Sequence, residues 1–373
     1  MSTRIRELRE RLNLNQDALG ATVGVTRQTI AAWEKGQRIP SVTQLSAIAH
    51  ALDVPVELLL RQEPTANQPR VSVLYRADKR SALTETDEAL MTRKASDYAF
   101  VERIMGALSW LPESRPLYTF EPELIEQVAQ ETRDSLGVEN APLGDALSLL
   151  ERRGLKIVRT RLPDGVFGFS AYSDEWGAIA FVNRSKAADS EAGGLADMPY
   201  ERQVFTAFHE LGHLIFHRRE YREPTLIEGR RDHREDTANY FAGAVLVPAQ
   251  ALRADLSGYR HRWLPLPLLC DLKLRYGVSV QTLLYRAANL DIISDRQKGQ
   301  QFGDLRKRFP HNYGEPTEPA CPSSCTMPRL ERLVFDALVN DKLGESRAAE
   351  ILGWSQQQVR DKLEIWLQEP RSA

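Results

Sequence analysis

Two imidazoles and a carboxylate in the run His209-Glu210-Leu211-Gly212-His213 are spaced for chemistry on a metal. On an α-helix, positions i and i+4 lie about 40° apart around the axis, so both imidazoles point the same way and can clamp one zinc ion. Glu210 sits roughly 100° round, close enough to reach a water on that zinc without ligating it. Two neutral nitrogen ligands, an open metal position and a carboxylate base are what metal-assisted hydrolysis of a peptide bond requires. The flanking Val204, Phe205, Phe208, Leu211, Leu214, Ile215 and Phe216 predict a helix buried on several sides. A third ligand must come from another element. The segment Asp232–Pro248 offers His233, Glu235 and Asp236, and chemistry alone does not choose among them. His217, two turns along and about 80° round from His209, suits a hydrogen bond to a ligand better than ligation itself. His233 and Tyr240 are candidates to stabilise an oxyanion.

The whole chain narrows the setting for that chemistry. At 373 residues and 42% hydrophobic content it can build two or three domains with ample core. A formal net charge of −2 argues against wholesale polyanion binding, so any nucleic-acid contact must be a local patch. No stretch approaches the roughly 18 apolar residues of a membrane helix. The N-terminus lacks the apolar run of a signal peptide, and three cysteines give no disulfide framework. These features predict a cytoplasmic, multidomain protein without a membrane partner.

Residues 1–62 carry five short helical patterns separated by turn signals. Ile5, Leu8 and Leu12 stripe the first, and Gln16 to Val23 forms the second, ending at a Gly24 expected to turn left-handed. Thr26 reads as the N-cap of a third helix with Ile30 and Trp33 inward, a fourth begins after Ser41, and a short fifth starts near Leu52. Helix, tight turn at Gly24-Val25, and helix is the arrangement that lays a recognition helix in the DNA major groove. Thr26, Arg27, Gln28 and Thr29 would then face the bases, where Arg suits guanine and Gln suits adenine. Gln16, Lys35 and Arg38 are candidate phosphate anchors. With eight Lys/Arg against six Asp/Glu, the segment is only mildly basic, and a homodimer on a two-fold operator is the natural remedy. The matching residues Gln16…Leu19, Gly24-Val-Thr-Arg-Gln-Thr-Ile30 and Trp33-Glu-Lys-Gly36…Pro40-Ser41 resemble the Cro/C1-type (XRE) helix-turn-helix family.

Beyond a linker-like stretch at 62–70, a long helix is expected from Thr84 to Leu111. It either positions the DNA reader or builds a dimer contact, or it packs as a helix of the next domain. Helices at 121–135 and 143–153 and strands at 155–158, 166–172 and 176–182 should precede the HExxH helix. Arg184–Pro199 reads as a polar loop. The pattern Arg202-x-x-Phe-Thr206-x-x-His-Glu-Leu-Gly-His213-x-x-x-His217, followed by Glu235-x-x-Ala-Asn239-x-Phe-Ala242-x-x-x-Leu246-x-Pro248, resembles the ImmA/IrrE family of zinc metallopeptidases. The resemblance runs over about 118–295 and makes Glu235 the third ligand beside His209 and His213, with Glu210 as base. One departure, Val245-Leu-Val-Pro248 where Leu-Leu-Met-Pro is commoner, touches no chemical group.

Residues 296–328 are rich in Pro, Gly and charge and read as an irregular linker holding two surface thiols, Cys321 and Cys325. The final helical stretch, 329–373, contains Gly353-Trp-Ser355, which aligns with Gly24-Val-Thr26. It reads equally as a second, reduced helix-turn-helix or as an oligomerisation segment through Ile351, Leu352, Val359, Leu363 and Trp366. The expected fold is α+β and multidomain. An all-α helix-turn-helix bundle at 1–62 is followed by a linker and connecting helix at 63–117. A zincin-like metallopeptidase core with a small sheet at 118–295, the linker and the helical C-terminal region complete it. The function these resemblances imply is a DNA-binding transcriptional regulator carrying a zinc peptidase, with a double-stranded operator and a repressor or antitoxin-type protein substrate as partners. The rival is a non-proteolytic regulator whose peptidase-like domain is a sensor or interaction module.

Overall fold

The structure, a computed structural model, describes residues 2–12, 14–52, 54, 56, 59, 83–163, 165–187, 195–221, 233–312, 314–322 and 326–367. The expected linker at 62–70, most of the fifth helix, the middle of the expected loop at 184–199, Asp232 and Cys325 lie outside the described residues. The fold is α+β; among the described residues there are many helices, one three-stranded sheet and one two-stranded sheet.

The first helices are α1 (Ser2–Arg11), α2 (Gln16–Val23), α3 (Arg27–Glu34) and α4 (Val42–Ala51). Their boundaries follow from caps. Asn15 accepts the Ala18 N–H and Thr26 accepts the Thr29 N–H, while Ser41 and Gln44 form a reciprocal box. Gly24 closes α2 at φ +74°, the left-handed conformation that glycine adopts without a Cβ penalty. Gly20 has a different duty, since a Cβ there would stand 2.7 Å from the Val25 carbonyl oxygen. Small size at Gly20 therefore lets the turn fold back on α2. Ile30 and Trp33 are buried at 0% and 2% exposure, as their spacing predicts. Glu34 ties three helices together. Arg9 on α1 donates to both its carboxylate oxygens at 2.5 and 3.1 Å, and Gln16 on α2 donates at 2.8 Å.

A long helix, α5 (Glu85–Met105), starts at the Thr84–Asp87 box and ends at Gly106, φ +62°. It stops six residues short of the expected Leu111, because a left-handed glycine breaks the hydrogen-bond ladder. α6 (Pro122–Ser135) and α7 (Ala146–Arg153) follow. α7 begins later than expected because Asp145 is its cap and Gly144 stands at φ +63°. Strands β1 (Lys156–Thr160), β2 (Gly168–Ser173) and β3 (Gly177–Asn183) match the three expected ones and form a sheet ordered β1-β3-β2. β2 and β3 pair antiparallel, with Phe169 opposite and stacked on Phe181. β4 (Ser185–Ala187) and β5 (Leu195–Asp197) make a separate hairpin pair.

The HExxH run lies in α8 (Tyr200–Phe216), and α9 (Arg234–Leu246) carries the second motif. α10 (Ala249–Asp255), α11 (Leu266–Tyr276), α12 (Val280–Asn289) and α13 (Asp295–Arg308) follow. α13 corrects the expectation of irregular chain from residue 296. A Ser294–Gln297 box starts it, and its buried side is chiefly Gln301 and Leu305, too few apolar residues to register as a helical stripe. Cys321 is a second correction, being buried rather than on the surface. Its thiol meets the Lys273 carbonyl at 3.6 Å, and burial pushes its pKa up to about 11.

The chain forms two compact units. One contains residues 1–110, 158–197 and 327–373, and the other contains 111–157 and 198–326. Each unit draws on separate stretches of chain, so neither coincides with any one of the segments expected along the sequence. In the first, α5 packs against the C-terminal helices α14 (Arg329–Val339) and α15 (Glu345–Leu352). Arg329 is buried against Glu102 and Tyr98, and Arg347 and Arg93 reach Asp97 and Glu350. The long helix is thus a packed member of this unit.

α15 and α16 (Gln356–Leu367) reproduce the turn between α2 and α3. Gly353 stands at φ 71°, ψ 27° beside 74°, 32° for Gly24, and Trp354 N–H donates to Ala349 O at 2.9 Å as Val25 does to Gly20 at 2.8 Å. Ser355 caps α16 through the Gln358 N–H, and Val359 and Ile30 are both fully buried. The backbone is helix-turn-helix, but the charges are not those of a DNA reader. Gln16, Arg27 and Lys35 correspond to Glu345, Gln356 and Glu364, and Arg360 is paired with Glu345 at 2.7 Å. A phosphate approaching this second turn would meet two carboxylates where the first offers an amide and an ammonium.

Gly20→Val should destabilise the N-terminal bundle by about 1–3 kcal/mol, because the added carbons must push a backbone carbonyl aside. Urea unfolding of the full chain, followed by circular dichroism, would show it; an unchanged midpoint would count against the close approach of Gly20 and Val25.

Candidate metal centre and nucleic-acid interface

The candidate metal ligands come from two helices that lie close together. Gly212 of α8 faces Ala238 and Phe241 of α9, and a Cβ on it would stand 3.2 Å from Ala238 Cα and 3.1 Å from Phe241 Cδ1. The bare Cα lets the helices approach, and beside it Phe216 of α8 meets Phe241 of α9 edge to face with ring centroids 5.5 Å apart. The start of α8 is anchored by Glu201, which accepts from the buried Lys273 Nζ at 2.9 Å. Glu315 and the Pro316 carbonyl take the other two Lys273 donors. α9 is held at its far end by Arg286, whose Nε donates to Val247 O at 2.9 Å while its Nη atoms grip Glu126 of α6.

Between these anchors His209, His213 and Glu235 present ligand atoms that all lie within 4.8 Å of one another, a set that could hold a metal ion. The two Nε2 atoms are 3.1 Å apart, and the Glu235 oxygens lie 3.5 Å from His209 Nε2 and 3.4 Å from His213 Nε2. Ligands at 2.0–2.1 Å on a tetrahedral zinc would be separated by about 3.3 Å. The donor types and their spacing therefore fit zinc. Glu210 is buried and its charge acts on His213, yet it is not among the clustered ligand atoms. Burial favours neutral His213, but its hydrogen bond to Glu235 and the charges of Glu210 and Glu235 together hold its pKa above the ordinary imidazole value.

The outer contacts sort the remaining sequence candidates. His217 is buried, with Nδ1 3.0 Å from His213 Nδ1, which is the hydrogen-bonding place expected for it. Tyr240 is committed elsewhere: its hydroxyl donates to Glu126 at 2.9 Å, and Arg286 lies over its ring. Burial is the main reason its pKa is pushed up to about 12. Its expected part in oxyanion stabilisation loses support, since α9 turns it about 140° away from Glu235. His233 forms the N-terminal boundary of α9 with Nδ1 3.5 Å from Asp236. Asn239 has no assigned role in the sequence pattern, where it is one letter of the second motif. Its Oδ1 lies 2.9 Å from His209 Nδ1, and the available signal was its i+4 spacing from Glu235.

In the N-terminal bundle, Thr26, Arg27, Gln28, Lys35 and Arg38 are exposed, while Gln16 and Thr29 are half-buried. Thr26 and Thr29 spend their hydroxyls on each other at 3.0 Å, as well as on the cap. Arg27 lies 3.9 Å from Asp17 with both side chains largely exposed, so water screens the pair and leaves the guanidinium ready for a stronger anion. Gln16 donates to Glu34, and an amide carries a second N–H that could still meet a phosphate. The Arg9–Glu34 pair, absent from the sequence expectations, is what holds Gln16 in that place.

Comparison with known proteins divides along the same lines. Residues 5–59 match the family described as helix-turn-helix, and residues 196–288 match the IrrE N-terminal-like domain. An uncharacterized HTH-type transcriptional regulator of Bacillus subtilis, YgzD, is 46% identical over 57 residues, covering 15% of this chain and 86% of that protein. A counterpart in Methanothermobacter thermautotrophicus is 54% identical over 52 residues, covering 14% and 75%. Repressor protein C2 of Salmonella phage P22 is 33% identical over 85 residues, covering 19% and 39%.

Gly212→Val should force α8 and α9 apart, lowering stability by about 1–3 kcal/mol. It should also weaken zinc binding in a chelator competition, since Glu235 would be carried away from the imidazoles. Wild-type affinity in this variant would show that the close helix contact does not set the ligand spacing.

Proposed function

We propose that this chain is a DNA-binding transcriptional regulator with its own zinc-dependent endopeptidase; it belongs to the helix-turn-helix family through residues 5–59 and carries an IrrE N-terminal-like domain at 196–288. The observation that carries the enzymatic half is the convergence of His209, His213 and Glu235 from two helices, with buried Glu210 beside them. A zinc ion held by those three residues would supply a Lewis acid and acidify a water toward neutrality.

The protein's own groups do the rest. Glu210 takes the proton from the attacking water as its oxygen adds to the scissile carbonyl carbon. The same carboxyl then returns that proton to the departing amine as the C–N bond breaks. Burial beside His213 keeps Glu210 close to the reacting atoms and out of bulk solvent. The substrate is a protein partner of the repressor or antitoxin kind, and its cleavage switches a transcriptional circuit. At the other end, Arg27 and Gln28 read base edges and Lys35, Arg38 and Gln16 hold phosphates, in a homodimer on a two-fold operator. Among the described residues no helix is long and apolar enough to cross a membrane.

Glu210→Gln should keep zinc and fold while losing nearly all hydrolysis of the cognate partner, read by mass spectrometry of the products. A full rate in this variant would remove Glu210 from the mechanism. His209→Ala and Glu235→Ala should each abolish stoichiometric zinc binding, and retention by Glu235→Ala would move the third ligand to His233 or Asp236.

For DNA, Gln28→Ala should cost about 1–3 kcal/mol of discrimination between operator and mismatched sites. Lys35→Ala should weaken all sequences alike and lower the salt slope by about 1. If both variants bind the operator like the wild type, α3 is not the reading helix.

A further inference from the structure

In a chain whose net charge is −2, residues 260–262 and 295–308 together gather seven Lys/Arg against two Asp. The fold joins these two stretches. Gln297 of α13 donates to the His261 carbonyl at 2.7 Å and Gln301 to the Leu264 carbonyl at 2.8 Å, so the loop at 260–264 runs beside the first turns of the helix. Gln301 and Leu305 are buried, which fixes the opposite side of α13 as its outer face. At 100° per residue that face holds Arg296, Gly299, Gly303, Arg306 and Lys307 within an arc of about 100°. All five are exposed.

The cations here divide into paired and free. Lys298 meets Asp295 at 2.6 Å and Arg308 meets Asp304 at 2.8 Å, which engages both aspartates of the helix. Arg260, Arg262, Arg296, Arg306 and Lys307 are exposed and have no ion-pair partner among the described residues. A one-sided stripe of unpaired cations is the electrostatic footprint of a nucleic-acid contact. The glycines add a steric feature to it. Glycine inside a helix costs stability relative to alanine, and a Cβ at Gly299 or Gly303 would meet nothing within 4 Å. Packing within the protein therefore asks for neither. Their bare backbone leaves a shallow notch with Arg306 on one side and Arg296 and Lys307 on the other, open to a sugar–phosphate strand. From Arg296 to Lys307 the helix rises about 16 Å, the length of about five phosphates on one strand of a duplex.

We propose that the outer face of α13, with Arg260 and Arg262 at its edge, is a second DNA-contacting surface that holds duplex phosphates without reading sequence. The proposal rests on the reading of the chain as a DNA-binding regulator, which also favours DNA over an acidic protein as the occupant. A helix-turn-helix bundle with eight Lys/Arg against six Asp/Glu gains from phosphate contacts made elsewhere in the chain.

The test uses the full-length protein and a fluorescent duplex of arbitrary sequence, about 30 base pairs long, with anisotropy followed from about 50 to 200 mM salt. Replacing Arg296, Arg306 and Lys307 together by Gln should weaken binding at least tenfold at the lowest salt. The slope of log K against log salt should fall by about 2–3. Arg296→Lys with Arg306→Lys should keep the wild-type slope. Lys298→Gln with Arg308→Gln, which removes paired cations, should change it by less than about 1. Gly299→Leu with Gly303→Leu should melt no lower than the wild type yet bind the duplex several-fold more weakly. A wild-type slope in the triple Gln variant overturns the proposal and leaves the face to an acidic protein. An equal loss from the paired-cation variant overturns it too, as an effect of overall charge. If Lys35→Ala lowers the slope and the triple variant does not, this surface alone is refuted; if the wild type binds no duplex at any salt, the DNA reading falls and takes the proposal with it.

Discussion

The approach of α8 to α9 at Gly212 is the contact on which the candidate metal centre depends. Two imidazoles one turn apart are a local property of any helix with that spacing, but a three-atom set needs a carboxylate from a separate element. A Cβ at 212 would stand 3.1 Å from Phe241 and 3.2 Å from Ala238, tighter than an ordinary contact, on the helix that also carries Glu235. The other restraints on these helices serve the same end. Lys273 fixes the start of α8 through Glu201, and Arg286 fixes the end of α9 through Val247 and ties it to Glu126. Both cations are almost fully buried and both find full partners, as burial of charge requires.

A comparable economy holds the N-terminal bundle. Glu34, at the end of α3, accepts from Arg9 and Gln16, so one carboxylate sets the relation of α1, α2 and α3. Outward from that buried pair, α3 is left with exposed Arg27 and Gln28 and only a loose contact to Asp17. Rigid support beneath and weakly engaged side chains above is the arrangement a reading surface needs, because groups already well paired would lose more on meeting DNA.

The second helix-turn-helix separates backbone from chemistry. Its left-handed glycine, capping serine and buried valine repeat the first one closely, while Glu345 and Glu364 stand where phosphate contacts would form. Arg93, Arg329 and Arg347 bind the C-terminal helices to α5 through its acidic residues and Glu350, which gives this copy a packing role in its own unit. A fold of this kind does not by itself confer DNA binding; the charges on its outer face do.

Local rules were legible in the sequence wherever one residue decides locally. Gly24, Thr26, Ser41 and the Thr84–Asp87 box announced helix ends, the alternating segments announced three strands, and i/i+4 spacing announced the imidazole pair. Residue type also nominated His233, Glu235 and Asp236, and it took a second motif to prefer one. Polar α13 escaped notice because its burial rests on Gln301 and Leu305. The early stop of α5 at Gly106 is hidden in the sequence because apolar residues continue beyond it. What only the tertiary structure decided was who meets whom across the chain: Glu235 with two imidazoles, Asn239 with His209, Arg9 with Glu34, and Tyr240 with Glu126 rather than with the site. Periodicity and capping act over one or two turns of backbone, whereas these meetings depend on how closely helices pack, and that is set by the volume of residues such as Gly212 that carry no chemistry at all.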